Sequence, residues 1–287
     1  MKFKKIYEFL VWDNCNNNCS FCFQREKPRL FNKSKRYEIL DEVVSFIQSD
    51  RFEKGSHILI CGGEIFDNPS DTIQLNYFFT EIVSLMANDI IDLLYINTNL
   101  IYKDLEALDF LLRCIKANNL TDRLKFTTSY DLEGRFKKKE DEELMLHNLE
   151  LVHQKYPSVQ IVVNTILTNK TCEAIINSEF KLSEFMDKYN CWVNLIPYIV
   201  LDNKLTAKRS NIFKALKVVD EDCPGYLAKY IPNMSIEQEK LLYMYKDNEF
   251  QFCSCEMADC KHSINFKRYS DKGTCFCCDL KKIFGDF

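Results

Sequence analysis

The chain has 287 residues, of which 46% are hydrophobic and 13% aromatic, so it can bury a large core and is not a disordered protein. Its formal net charge of -4 argues against binding along bulk nucleic acid and favours a small-molecule substrate. The first residues are charged where a secretory signal needs an apolar run, and no later run is long enough to span a bilayer. We therefore expect a cytoplasmic protein without a membrane partner. Its 14 cysteines should be reduced, with the clustered ones binding metal.

Short apolar runs alternate with longer segments of helical periodicity as far as about residue 220. Such repeated strand and helix units predict an α/β fold with a parallel sheet. The predicted strands cover residues 6–12, 57–61, 93–97, 124–129, 159–167 and 192–199, and the first two predicted helices run from about 34 to 47 and from about 72 to 86. Because the pattern changes near residue 220, we expect a core domain over 1–220 and a small extension over 221–287.

Three cysteines lie within eight residues directly after the first predicted strand, in the sequence Cys15-Asn-Asn-Asn-Cys19-Ser-Phe-Cys22. This segment is too polar and irregular for a strand or a helix interior, and thiolates at such short spacing suit an iron–sulfur cluster. A structural zinc site would need a fourth ligand, and the next candidate, Cys61, is far along the chain in an apolar run. Three ligands would leave one metal position open. A zinc knuckle or a chance cluster of cysteines is the alternative.

The pattern Cys-x3-Cys-x-aromatic-Cys, with Phe21 as the aromatic residue, resembles the signature of the radical S-adenosylmethionine (radical SAM) superfamily. The resemblance implies that Cys15, Cys19 and Cys22 hold a [4Fe-4S] cluster whose fourth iron chelates S-adenosylmethionine, with Phe21 among the cofactor contacts. It also implies a reductant such as flavodoxin or ferredoxin, whose electron breaks the sulfur–C5′ bond. The resulting 5′-deoxyadenosyl radical then takes a hydrogen from the substrate. The implied fold is a partial (β/α)6 barrel, open on one side, followed by the Cys-rich extension.

Two adjacent glycines and a glutamate, Gly62, Gly63 and Glu64, come directly after the second predicted strand. Glycines there let backbone come close to a ligand, and a neighbouring carboxylate can accept hydrogen bonds from an ammonium group. In the superfamily, Gly-Gly-Glu in this place binds the amino group of S-adenosylmethionine. The chain has Ile65 where proline is usual, and this changes no ligand atom.

Polar residues also follow or end the other predicted strands, and in a parallel α/β sheet ligands meet those carboxyl ends. The segment Ser129-Tyr-Asp131 is similar to the Ser-x-Asp that superfamily members place near the ribose and carboxylate of the cofactor. The cofactor contacts implied by the resemblance also include Asn97, Thr98, Ser129, Asp131, Asn164 and Ile196. For the Asn, Thr and Ser side chains, capping or loop hydrogen bonding is the alternative interpretation.

The extension contains a second group of cysteines, and four of them have spacings that suit a metal site. A tetrathiolate around zinc or a second iron–sulfur cluster would use Cys255, Cys260, Cys275 and Cys278. The alternative is that the thiols carry no metal and pack over the open side of the barrel, since buried cysteine behaves as a small hydrophobic residue.

Among small superfamily members, the chain resembles the queuine lyases in size and layout. These enzymes release the base queuine by cleaving the ribosyl bond of queuosine or its 5′-phosphate, a task that needs an acid for the guanine-like edge, aromatic surface and a cation. The candidate acids are Glu8, Asp13 and Asp131, the candidate aromatic platforms are Trp12, Tyr130 and Tyr198, and the candidate phosphate ligands are Arg25 and Lys27. For each of them the alternative is a core aromatic residue or a solvated charge.

Two further classes of function stay open at this point. One is a peptide-modifying radical SAM enzyme with auxiliary clusters in the extension, and the other is a non-enzymatic, zinc-binding interaction protein. The basic run from Arg135 to Lys139, followed by four acids, is interpreted as a solvated loop that leads into a helix, and no function is assigned to it.

Overall fold

A computed structural model of the chain describes residues 5–12, 14–17, 19–20, 22, 36–196 and 207–226. Several residues singled out from the sequence lie outside this part of the chain. They are Asp13, Phe21, Arg25, Lys27, Tyr198, the side chain of Trp12, and the cysteines Cys255, Cys260, Cys275 and Cys278. Within the described residues, no helix combines the length and the apolar character needed to cross a bilayer.

In the described part of the chain, six parallel strands form one sheet in the order in which they occur along the sequence, with β1 and β6 at the two edges of these six. The strands are β1 (Ile6–Trp12), β2 (Ser56–Gly62), β3 (Ile91–Asn97), β4 (Leu124–Ser129), β5 (Gln160–Ile166) and β6 (Trp192–Ile196). This confirms the predicted α/β class and the partial, unclosed barrel. The predicted bounds of β1 and β4 match, and those of β2, β3 and β5 differ by at most two residues at either end. For β6, the predicted residues 197–199 lie outside the described residues.

Helices connect successive strands, as parallel pairing requires. They are α1 (Arg36–Gln48), α2 (Thr72–Ala87), α3 (Glu106–Ala117), α4 (Lys139–Lys155), α5 (Asn169–Ile176) and α6 (Leu182–Tyr189), and a further helix, α7 (Arg209–Asp222), follows β6. The starts of α5 and α4 show two ways in which a helix N-terminus is stabilised. The side chain of Thr168 accepts from the backbone N–H of Thr171 before α5, and α4 has three acids in its first turn.

The chain divides into two compact units. The first contains Met1–Thr165 and Leu182–Leu195, and therefore nearly all of the sheet; the second contains Ile166–Lys181 and Ile196–Phe287, with α5 packed on α7. The predicted boundary near residue 220 stays a prediction, because residues 227–287 lie outside the described part of the chain.

The two faces of the sheet have opposite character, because successive side chains of a strand point to opposite sides. One face is apolar and fully buried, with Ile58, Ile60, Leu94, Ile96, Phe126 and Val163. On the other face the ring centroid of Tyr95 lies 5.9 Å from that of His57 and 5.7 Å from Nζ of Lys125. The strand register adds further polar residues there, and we define this polar face by Glu8, His57, Tyr95, Lys125, Asn164 and Asn194.

The segment after β3 has a strained backbone that a buried side chain supports. Leu100 has a φ of +58°, a conformation that costs a residue with a Cβ about 1–2 kcal/mol. Asn148 on α4 is buried, and its Nδ2 donates to the carbonyl oxygens of Leu100 at 2.9 Å and Tyr102 at 2.8 Å. Two buried carbonyl groups are therefore satisfied by one side chain, which holds the segment in place.

We expect Asn148→Leu to lower the free energy of unfolding by about 2–4 kcal/mol, because it leaves two buried carbonyl groups without their donor. Chemical denaturation followed by circular dichroism measures this. The matched control is Asn118→Leu, which removes an exposed bond from Nδ2 of Asn118 to the carbonyl of Cys114 and should cost less than about 0.5 kcal/mol. Equal losses in the two variants would contradict the support of the strained segment by Asn148.

Candidate functional site

The three clustered cysteines lie on the segment that leaves the carboxyl end of β1, which we call the cysteine loop (residues 14–22). Cys15 is exposed, Cys19 is buried and Cys22 is intermediate, and the backbone N–H of Cys22 donates to the carbonyl of Cys19 at 3.2 Å. The sulfur atoms therefore face different environments. Three neighbouring loops, which follow β2, β3 and β4, hold the cysteine loop.

The loop after β2 makes the tightest backbone contact. Gly62 has a φ of +139°, which strongly favours glycine, and a Cβ added to Gly63 would overlap the carbonyl group of Asn14. Next to this contact, the backbone N–H of Glu64 donates to the carbonyl oxygen of Asn14 at 2.8 Å. The two glycines are thus required for different physical reasons: Gly62 for its backbone conformation, and Gly63 for the close approach of two segments of the chain.

The carboxylate of Glu64 connects the loop after β2 to the loop after β3. It is fully buried, with Oε1 accepting from the hydroxyl of Thr98 at 2.9 Å and from the N–H of Phe66 at 3.1 Å, and Oε2 accepting from the N–H of Asn99 at 2.5 Å. Burial raises the pKa of Glu64 to about 7, although the three donors act in the opposite direction. The predicted role of Glu64 in binding an ammonium group stays a prediction. In this structure its side chain joins the loop after β2 to the loop after β3.

The loop after β3 reaches the cysteine loop through two asparagines. Nδ2 of Asn99 donates to Oδ1 of Asn16 at 2.8 Å and also lies 3.5 Å from Sγ of Cys15. Nδ2 of Asn16 in turn donates to the carbonyl of Ile101, and the N–H of Ile101 donates to Oδ1 of Asn99 at 2.7 Å. The amide of Asn99 is therefore fixed in an orientation that directs an N–H toward a cysteine sulfur.

The loop after β4 holds the other end of the cysteine loop. The N–H of Ser20 donates to the carbonyl of Gly134 at 2.8 Å. Nε of Arg135 lies 2.5 Å from Oδ2 of Asp131, and its Nη1 lies 3.6 Å from Sγ of Cys19. The interpretation of the basic run as a solvated loop is therefore wrong for Arg135. Its side chain is only 12% exposed, because it forms an ion pair with the buried carboxylate of Asp131.

N–H groups of the protein lie close to the sulfur atoms of Cys15 and Cys19. The backbone N–H of Asn17 lies 3.4 Å from Sγ of Cys15, and Nδ2 of Asn17 lies 3.4 Å from Sγ of Cys19. Burial raises the pKa of Cys19, and the guanidinium of Arg135 acts against that shift. A cysteine buried in this way becomes a thiolate when a cation binds it, and N–H donors then stabilise the sulfur.

Among the residues that the structure describes, no three His, Cys, Asp or Glu side chains come together closely enough to hold one metal ion. A four-iron cluster would attach each cysteine to a different iron atom, and Cys15, Cys19 and Cys22 lie on one loop.

Two predicted residues near β4 are engaged with protein groups. The side chain of Asp131 is 0% exposed in its ion pair with Arg135, which makes it an anchor for that guanidinium. Tyr130 is buried, its ring centroid lies 5.1 Å from that of Phe185, and its hydroxyl donates to Glu142 at 2.6 Å. This geometry favours a packing role for Tyr130 over the predicted platform for a substrate ring, because a residue directly after Ser129 points to the opposite side.

The remaining predicted residues lie at the carboxyl end of the sheet. Oδ1 of Asn164 accepts from Nδ2 of Asn194 at 3.1 Å, and Asn164 is the register partner of Ser129. Asn97 and Ile196 are the last residues of β3 and β6. Glu8 lies further from this end, on β1, and its Oε1 accepts from the thiol of Cys61 on β2 at 3.2 Å. Burial raises the pKa of Cys61 to about 12, so Cys61 stays a thiol. These side chains stay candidates for contact with a ligand.

Sequence reasoning missed the residues that donate to the sulfur atoms, which are Asn17, Asn99 and Arg135. A usable signal existed for Asn17, since an asparagine between closely spaced cysteines can supply an amide donor to either of them. For Arg135 the relevant fact is a contact across 116 positions, which only the fold provides.

Comparison with known proteins gives a family and a fold. A family model described as the radical SAM superfamily matches residues 9–178. The structure "Native anSMEcpe with bound AdoMet" is similar with a TM-score of 0.51 at 16% identity, over 86% of this chain and 68% of that one. A histidine-tagged form of anSMEcpe with bound AdoMet has a TM-score of 0.50 at 15% identity, over 86% and 67%. At such identities the likeness establishes the fold alone. No curated protein matches the sequence significantly.

We expect Gly63→Ala to weaken iron binding about tenfold or more, because the added Cβ forces the cysteine loop away from the loop after β2. Iron per chain after anaerobic reconstitution measures this. Gly55→Ala is the matched control, since Gly55 has a φ of +75° but no atom within 4 Å of the added carbon. It should lose about 1 kcal/mol of stability and keep its iron. Normal iron content in Gly63→Ala would refute the role of this contact.

We expect the buried carboxyl group of Glu64 to make the metal-free protein less stable as the pH rises. Its folded-state pKa of about 7 lies above the ordinary value of 4.5, so the folded state binds more protons between these two pH values. Stability should therefore fall as the pH rises from about 4.5 to 7, by up to about 3 kcal/mol, and change no further from this source above pH 7. Urea denaturation at several pH values, compared with Glu64→Gln, isolates the effect. An identical pH dependence in both proteins would contradict it.

Proposed function

The chain belongs to the radical SAM superfamily, and from this premise we propose that it is an enzyme that holds a [4Fe-4S] cluster on Cys15, Cys19 and Cys22. We propose that the cluster binds S-adenosylmethionine and that the substrate is a small polar molecule. When bound, these cofactors supply a 5′-deoxyadenosyl radical able to abstract a hydrogen atom. A one-electron reductant such as flavodoxin or ferredoxin fits this chemistry, as does the reducing environment of the cytoplasm.

The observation that carries the proposal is the set of N–H groups directed at the cysteine sulfurs. Asn17 and Asn99 lie within hydrogen-bond distance of Sγ of Cys15, and Asn17 and Arg135 lie within that distance of Sγ of Cys19. Hydrogen bonds to ligating sulfurs are a principal means by which proteins tune iron–sulfur clusters. A cysteine that serves only to pack in the core has no need of such donors.

The chain's own residues perform two further tasks in this proposal. Gly62, Gly63 and Glu64 bring backbone to the edge of the cysteine loop, where an amino group of a ligand would find carbonyl acceptors. Asn164 and Asn194, together with Ser129, offer amide and hydroxyl groups at the carboxyl end of the sheet. That end of a parallel sheet is where ligands bind in α/β folds.

For the substrate we propose a modified nucleoside, with queuosine or its 5′-phosphate as the specific candidate and release of queuine by cleavage of the ribosyl bond as the reaction. The polar face of the sheet supports this proposal. Glu8 is exposed there, and its contact with the thiol of Cys61 is a weak hydrogen bond, so its carboxylate can accept from the N1 and exocyclic amine edge of a guanine-like base. Lys125 adds a cation on the same face. A metal at the four cysteines of the extension stays a prediction.

We expect the full chain, reconstituted anaerobically with iron and sulfide, to release 5′-deoxyadenosine from S-adenosylmethionine, and to do so faster with queuosine. Single substitutions Cys15→Ala, Cys19→Ala and Cys22→Ala should each abolish the release, because three thiolates are the minimum set of ligands. The control Cys114→Ala removes a cysteine of α3 and should leave it unchanged. Mass spectrometry of the products measures both.

Each proposal has its own contrary result. Zinc in place of iron, with no absorbance near about 400 nm after reconstitution, would contradict the cluster. Cluster-dependent release of 5′-deoxyadenosine that queuosine does not change, and no free queuine, would leave the superfamily chemistry intact and reject the nucleoside. More than four irons per chain, together with modification of a peptide, would favour a peptide-modifying enzyme.

A further inference from the structure

We propose that Arg135 is a positioning residue for the cluster: its guanidinium, held by the buried carboxylate of Asp131, donates to Sγ of Cys19 and raises the reduction potential of the cluster. The inference rests on the proposed cluster and adds a residue to it. It concerns the ease with which the cluster accepts the electron that starts the reaction.

Different nitrogen atoms of the guanidinium contact Asp131 and Cys19. Nε of Arg135 lies 2.5 Å from Oδ2 of Asp131, and Nη1 lies 3.6 Å from Sγ of Cys19, a distance suited to an N–H···S bond. Because the guanidinium is planar and rigid, the bond to Asp131 also sets the direction of Nη1. The side chains of Asp131 and Arg135 are 0% and 12% exposed, so the pair has little freedom to rotate toward solvent.

The backbone next to this pair is fixed to the same segment of the cysteine loop. The N–H of Ser20, the neighbour of Cys19, donates to the carbonyl of Gly134, the neighbour of Arg135. Side-chain and backbone contacts thus join adjacent residues on both segments. A shift of the arginine relative to the sulfur would break both contacts, which makes the distance between the charge and the sulfur a fixed property of the fold.

Charge gives the direction of the effect. A cluster with three thiolate ligands gains one negative charge on reduction, and a nearby cation stabilises the reduced form more than the oxidised form. Hydrogen bonds to cluster sulfurs act in the same direction. The carboxylate of Asp131 opposes this, but the guanidinium of Arg135, which contacts the sulfur directly, has the larger effect on Cys19.

The competing explanation is that the ion pair of Asp131 and Arg135 only closes the loop after β4. The two explanations differ in what they predict for the cluster. A purely structural pair would change stability and iron uptake when removed, but it would leave the potential of those clusters that do assemble unchanged. A potential read from the assembled cluster is therefore the decisive quantity.

The experiment uses the full chain, reconstituted anaerobically and titrated with a reductant while electron paramagnetic resonance follows the reduced cluster. We expect Arg135→Gln, which is neutral, to reduce the ratio of reduced to oxidised cluster at least tenfold at a fixed potential, a shift of about 59 mV for one electron. Arg135→Lys keeps the charge and should restore most of the shift. Because the signal comes only from assembled clusters, partial iron loss does not obscure the result.

The matched control is Arg123→Gln. Arg123 also forms an ion pair, with Asp89 at 3.0 Å, and donates from Nε to the carbonyl of Asp92 at 2.8 Å, but this lies at the opposite end of the sheet from the cysteine loop. Its substitution should cost stability without moving the potential. An unchanged potential in Arg135→Gln would overturn the inference, as would equal shifts in the Gln and Lys variants. A wild-type chain that binds no cluster would instead reject the proposed function.

Discussion

The contact between Asn14 and Gly63 is the constraint on which the site depends. Two backbone segments, one leaving β1 and the other leaving β2, approach so closely that no side chain fits between them. A hydrogen bond from the N–H of Glu64 to the carbonyl oxygen of Asn14 joins the same two segments next to this contact. A polar, irregular loop has little tendency of its own to hold one conformation, so its cysteines receive their positions from the strand ends around it.

The parallel sheet explains why three separate loops can act together. Because β1 to β4 are adjacent and point in the same direction, the loops that follow them emerge side by side at one edge. The loop after β2 supplies a backbone contact, the loop after β3 supplies the amide of Asn99, and the loop after β4 supplies the guanidinium of Arg135. Glu64 joins the first two of these by accepting hydrogen bonds from Thr98 and Asn99.

The sequence was informative where the chemistry depends on neighbours in the chain. The cysteine spacing, the glycine pair and the alternation of strands and helices are local patterns, and the fold confirmed what they predicted for the sheet. For Tyr130 the sequence left open a substrate platform or a core aromatic residue. The fold adds that its ring lies next to that of Phe185, a contact that the sequence alone does not show. The interpretation of Arg135 as solvated was wrong because its burial depends on contacts with Asp131 and Cys19, and the contact with Cys19 exists only in the folded chain.

The charges around the cysteine loop act on its sulfurs in both directions. Burial raises the pKa of Cys15 to about 11 and also raises that of Cys19, and the buried carboxylates of Glu64 and Asp131 add to the shifts of Cys15 and Cys19 respectively. The N–H groups of Asn17 and Asn99 near Cys15, and the guanidinium of Arg135 near Cys19, act in the opposite direction. The two thiols therefore keep their protons until a cation binds them, and the donors that would then stabilise the thiolates are already in place.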